Sequence, residues 1–227
     1  SFMKKLCFLE MEGVISKYNH YSPNQVKVKD FLEKLSSFCK QNGIELYLIS
    51  GHHETVAKKK FCENKFNEYF DEAHFLCVTN QYISNKADVD QKLHKENLAK
   101  DPEYNDSFFK QVIIQNILKI KDVNERDALL LSNDVWVDGY YTMRFSRIDF
   151  AIFEDNITDR GKSIERISGL AYFNLDFDSA KILLDNFPTT NTIALDKYVF
   201  EVMKSVLVGD TVKDSIRNSV LKKANLR

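Results

Sequence analysis

The sequence predicts an α/β protein with a mainly parallel sheet, and three observations predict it. Apolar runs of strand length recur along the chain, most clearly within Lys5–Leu9, Ile44–Gly51, Ala73–Val78 and Ala128–Asp134. Runs this continuous mark strands buried on both faces. The stretches between them carry apolar residues at helical spacing. Strands that alternate with helices form a parallel sheet joined by right-handed crossovers.

Composition fits that class. A chain of 227 residues with 44% hydrophobic content can build a sizeable core. Its length suits one α/β domain with additions, or at most two small domains. We expect a core over residues 1–188, with a polar insertion at 79–106, and a helical extension over 189–227. The formal net charge of -1 gives no reason to expect nucleic acid or an anionic membrane as partner. No apolar run approaches the roughly 18 residues that span a bilayer. The start lacks the longer apolar region of a secretion signal. Cys7, Cys39, Cys62 and Cys77 are scattered without a paired-cysteine motif. They read as small core residues of a reduced, cytoplasmic protein.

The first run leads directly into Glu10-Met11-Glu12-Gly13. Alternate strand residues share a face, so the two acids are expected to point the same way at the strand's carboxyl end. Open α/β sheets bind ligands there. Two carboxylates at one spot repel unless a cation or a shared proton intervenes, and magnesium suits such oxygen ligands. The alternative is a strand that ends in solvated acids. Next, Phe31, Leu32, Leu35, Phe38 and Cys39 repeat at helical spacing, and Gly43 is placed to stop that helix.

The second strand ends in Ser50-Gly51. A hydroxyl and free backbone N–H groups before a helix either cradle a phosphate oxygen or simply cap the helix. His52 and His53 read as rim or cap residues rather than zinc ligands. Residues 54 to 69 are helical in composition, and the third strand follows. From Thr79 to Asp106 the chain is polar, either a long surface excursion or a small insertion. Phe109, Val112, Ile113, Ile117 and Ile120 mark a helix with Lys110 near its start. The fourth strand runs into Asp134-Val135-Trp136-Val137-Asp138. Strand-like runs follow at Ile148–Phe153 and Leu170–Asn174, then a short helix over about 179–187 and an apolar-periodic tail.

Taken together, Glu10-x-Glu12-Gly13, Ser50-Gly51, Lys110 and Asp134-x-x-x-Asp138 resemble the four motifs of the haloacid dehalogenase (HAD) superfamily of phosphohydrolases, in order and in spacing. The resemblance covers about residues 4 to 155. Val206–Asp214 offers a second match to the fourth motif, but no further strand follows it and no lysine precedes it at the usual interval. The motif is therefore placed at Asp134, and Gly209-Asp210 is read as a helix break with a capping acid.

The resemblance implies a three-layer Rossmannoid core with strand order 5-4-1-2-3 and no large cap domain. It implies that Glu10 is the nucleophile and Glu12 the general acid and base. Ser50, Gly51 and Lys110 would hold the phosphate. Glu10, Glu12 through its backbone carbonyl, and Asp134 would bind magnesium, with Asp138 positioning Lys110 or a metal-bound water. The activity implied is magnesium-dependent hydrolysis of a phosphorylated substrate, and a homodimer through the C-terminal helices is a further expectation. The chain departs from the family at Glu10, where the family carries aspartate. One extra methylene moves the carboxylate by about an ångström, enough to cost on the order of 10²-fold in rate. A slow enzyme is the first expectation. A catalytically inactive binding or scaffold protein on the same fold is the second, and phosphotransfer to an acceptor other than water is a third.

Overall fold

The computed structural model describes residues 3–16, 25–132, 146–149, 201, 203–210 and 214. Five parallel strands form one sheet, β1 (Leu6–Glu10), β2 (Glu45–His53), β3 (Phe75–Val78), β4 (Ala128–Ser132) and β5 (Ser146–Asp149). Their spatial order is β3-β2-β1-β4-β5, the order that the resemblance implies. The helices between them are α1 (Gln25–Gln41), α2 (Glu54–Glu63), α3 (Asn80–Ser84), α4 (Asp88–Lys100) and α5 (Ser107–Lys121).

Strand alternation divides the core into two layers of packing. Cys7, Leu9, Leu48, Leu129 and Leu131 meet Leu32 and Leu35 of α1 and Phe61 of α2. Leu6, Phe8, Tyr47, Ile49 and Leu130 meet Ile113, Ile114 and Leu118 of α5 and Ile83 of α3. Helices therefore cover both faces of the sheet, which is why the strands read as unbroken apolar runs. Each leucine buried this way contributes roughly 1.5–3 kcal/mol.

Local signals set the ends of the elements. Gly43 takes φ +67°, and Ile44 N–H bonds the Cys39 carbonyl, closing α1 where the glycine predicted. Asp106 starts α5 by accepting the Phe109 N–H at 3.0 Å. The polar 79–106 stretch is two helices rather than one excursion. The Thr79 hydroxyl caps α3, and α4 buries little besides His94. A helix with so little apolar face leaves almost no periodic signal in the sequence.

Part of the tail joins the same core. Residues 203–207 are helical. Met203, Val206 and Leu207 pack on the α1 side of the sheet, and Lys4 N–H bonds the Leu207 carbonyl at 2.8 Å. Gly209 follows with φ +121°, so Val206–Gly209 is a helix end and not a strand. The Asp210 carboxylate accepts the Ser205 hydroxyl at 2.5 Å. Asp134, Asp138, residues 150–153, the Leu170–Asn174 run, the 179–187 helix and most of the tail lie outside the described residues. Among the described residues, no helix is long and apolar enough to cross a membrane.

Candidate functional site

Glu10 ends β1 between its neighbours β2 and β4, opposite Ile49 and next to Ser132. Its Oε1 accepts Lys110 Nζ at 3.0 Å, and its Oε2 accepts the Ser132 hydroxyl at 2.6 Å. Lys110 arrives from the first turn of α5, whose start is fixed by Asp106. Both charges are out of water, with Glu10 0% and Lys110 1% exposed. An ammonium is buried only where an anion and good geometry compensate it. Removing either partner removes that compensation from the other.

Glu12 is organised differently. β1 stops at Glu10, so strand alternation does not carry on to Glu12. The chain turns instead at Gly13, with φ +81° and a Gly13 N–H bond to the Ser16 carbonyl. The Glu12 Oε1 accepts the Ser50 hydroxyl at 2.7 Å. His52 Nδ1 stands 3.2 Å from the same oxygen but out of line for a hydrogen bond. Among the described residues, the buried Glu12 Oε2 has no hydrogen-bond partner. The structure thus brings Glu10 together with Lys110, and Glu12 together with Ser50.

Three further residues join them. Ser132 becomes visible only once β1 and β4 are in register. His52, expected at the rim, is buried. Between Ile49 and His53 the β2–β3 register slips, so β2 runs past Ser50-Gly51 before α2 begins. Burial is the main force that lowers the His52 pKa. Glu12 and Glu103 pull it up, and Lys60 and Lys110 push it down. His53 does cap α2, accepting Thr55 N–H at 3.3 Å. The third newcomer is Asn105, whose Oδ1 lies against Gly51. A Cβ at position 51 would sit 1.9 Å from that oxygen and 3.0 Å from Lys110 Cε.

The turn before α5 is tied down around these groups. Asp106 N–H bonds the Gly51 carbonyl at 2.7 Å, and its carboxylate holds His94 Nδ1 at 2.8 Å. A cavity of about 730 Å³ lined by Gln81, Tyr82, Phe108, Gln111 and Asn116 lies between α3 and α5, away from Glu10 and Glu12.

Magnesium was expected on Glu10, Glu12, Asp134 and Asp138. Among the described residues no group of three or more His, Cys, Asp or Glu is arranged to hold a metal ion. Both Glu10 oxygens already accept hydrogen bonds, and among the described residues Glu12 Oε2 has no donor. The described carboxylates by themselves therefore do not fit a magnesium site. Asp134 and Asp138 lie outside the described residues. Compared with known proteins, the chain matches no family model, no curated protein and no solved structure.

Proposed function

We propose that the chain is a slow phosphomonoester hydrolase of haloacid dehalogenase type, acting through Glu10 and Glu12. The observation that carries this reading is the buried 3.0 Å pair of Lys110 and Glu10, which joins residues 100 apart in the sequence. A lysine placed on a carboxylate at the carboxyl end of a parallel sheet keeps that carboxylate ionised and ready as a nucleophile. It also supplies positive charge where a phosphoryl group gains negative charge.

In the reaction, a Glu10 oxygen bonds to phosphorus as the bond to the departing alcohol breaks. Glu12 gives its proton to that alcohol oxygen. Water then attacks the acyl-phosphate, returns a proton to Glu12, and frees phosphate and the Glu10 carboxylate. Lys110 stays with the reacting oxygens throughout. Magnesium, if required, would be held by Glu10 and Glu12 together with Asp134 and Asp138, and would supply charge that stabilises the transferring phosphoryl group.

A second reading has its own support. Glu10, Glu12 and Ser50 are 0% exposed, and both Glu10 oxygens are engaged. A closed set, with both Glu10 oxygens already taken, suits a binding or scaffold protein that kept the fold and lost the chemistry. Hydrolysis of a broad phosphate panel, with magnesium and with chelator, separates the two. Metal-dependent turnover that disappears in Glu10→Gln is expected. Absence of turnover across the panel overturns the hydrolase and leaves the scaffold.

A further inference from the structure

We infer that the cleft between α3 and α5 binds a peptide in extended form, about five residues long and carrying acidic side chains. This goes beyond the hydrolase reading and does not depend on it. The cleft holds about 730 Å³, a size at which pockets bury a ligand. One wall is a single face of α5. Phe108, Gln111, Val112, Gln115, Asn116 and Lys119 line it, in the three- and four-residue steps of one helix face. From Phe108 to Lys119 this face runs about 16 Å, at about 1.5 Å per residue. An extended chain covers that length in about five residues.

The chemistry of the lining selects the ligand. Gln111 and Gln115 stand one helical turn apart, about 5–6 Å between their Cβ atoms. In an extended peptide the backbone groups that face one side recur every second residue, about 6.7 Å apart. Flexible glutamine side chains close that small difference. Each carboxamide then meets one peptide unit, giving an N–H to its carbonyl and accepting its N–H. A carboxamide carries two N–H donors. Gln115 spends one on Glu125 Oε1 at 2.9 Å, which orients the side chain and leaves its second N–H and its carbonyl for a ligand. Across the cleft, Asn116 Nδ2 donates to the Tyr82 hydroxyl at 2.9 Å and ties α5 to α3. Tyr82 and Phe108 pack on the core and stay only half-buried, so they offer aromatic surface to apolar side chains of the peptide. Lys86 and Lys119 add positive charge, and no acidic residue is among the described lining. An acidic peptide is therefore matched in sign and a basic one repelled. A nucleotide would satisfy the lysines, but its one base edge leaves the turn-to-turn repeat of carboxamides unused.

Fluorescence anisotropy on the full chain tests this, with a labelled, acetylated pentapeptide of alternating glutamate and valine as the probe. Saturable binding below about 1 mM is expected. The lysine–valine counterpart should bind at least about ten-fold more weakly. Lys119→Glu and Gln111→Ala should each weaken the acidic peptide about ten-fold. Lys119 is exposed and Gln111 half-buried, and neither belongs to the core, so both variants keep the fold. Two further peptides carry N-methyl groups on alternate residues. The one whose methyl groups face α5 should lose at least about ten-fold, and the other less than about two-fold, because alternate residues face opposite sides. Equal losses from both would overturn the extended backbone mode. Unchanged binding in Lys119→Glu and Gln111→Ala would place the peptide elsewhere and overturn the inference. No saturable binding of the acidic peptide would reduce the cleft to a solvated crevice. Displacement of the peptide by AMP at lower concentration than by unlabelled peptide would make it a nucleotide site, and overturn the inference as well. None of these outcomes bears on turnover at Glu10, so the two readings fail separately.

Discussion

Glu10 is gripped at both oxygens, and that decides what a shorter side chain does at this position. Glu10→Asp withdraws the carboxylate by about an ångström. Lys110 at 3.0 Å and Ser132 at 2.6 Å are placed for the longer residue, on opposite oxygens of one carboxylate. An aspartate cannot keep both without moving β1 or α5. Turnover is expected to fall by about ten-fold or more. Stability should fall by about 1–3 kcal/mol as a buried donor loses its acceptor. Kinetics beside urea unfolding of the same preparation measure both. A rise in turnover instead would mean that the surrounding groups stand where an aspartate needs them, as in a decayed enzyme.

At the scale of elements, the end of β2 and the turn leading into α5 are built against each other. Gly51 is required by close approach and not by its backbone angle, because the Asn105 side chain occupies the space a Cβ would take. The Asp106–Gly51 backbone bond and the His94–Asp106 pair hold that turn in place, and α4 supplies His94. The polar insertion thus fastens onto the strand end beside the carboxylates. Gly51→Ala should cost about 1–3 kcal/mol through overpacking. Asn105→Ala in the same chain should recover most of that loss, since it removes the clashing atom. A double-mutant cycle in denaturant reads the coupling. Additive effects would show that the two side chains do not share the space.

Across the whole molecule, the opposite end of the sheet carries a second polar group with a different task. Glu45 begins β2, far along the strands from the Glu10 end. It accepts His74 Nε2 at 2.8 Å, with Lys121 of α5 3.2 Å away, and Asp71 holds His74 Nδ1 at 2.6 Å. Burial opposes the charged imidazole, but the bonds to Asp71 and Glu45 outweigh it and raise the His74 pKa above 6.5. For Glu45, burial pulls upward, and the bonds from Tyr47, His74 and Lys121 win and lower it below 4.5. A raised histidine contributes stability that is complete below its unfolded value and is lost as pH rises through the folded one. A lowered glutamate contributes above 4.5, and its contribution is lost as pH falls through the folded value. The melting temperature should therefore decline as pH climbs above about 6.5, through this pair, and the decline should vanish in His74→Gln. A variant that declines as steeply as the natural protein would move the pH dependence to another group.

The class of fold is legible in the chain alone, because each strand's burial on both faces is written as an unbroken apolar run. Glu10, Glu12 and Ser50 are legible too, since carboxylates and hydroxyls at strand ends stand out against such runs, whereas Lys110, one lysine on a helix, is picked out only by the family resemblance. How these four divide is not. Lys110 reaches Glu10 only because α5 lies over the face that presents Leu6 and Phe8. Ser50 turns to Glu12 because β1 ends at Glu10, before the two acids can share a strand face. Ser132, His52 and Asn105 were illegible for the same reason. Ser132 depends on the β1–β4 register, His52 on a slip in the β2–β3 register, and Asn105 on the bare Cα of Gly51. Each is a contact between residues distant in the chain, fixed to fractions of an ångström by packing. Local pattern sets which residues are apolar and which are charged, but only the docked layers decide which charge meets which.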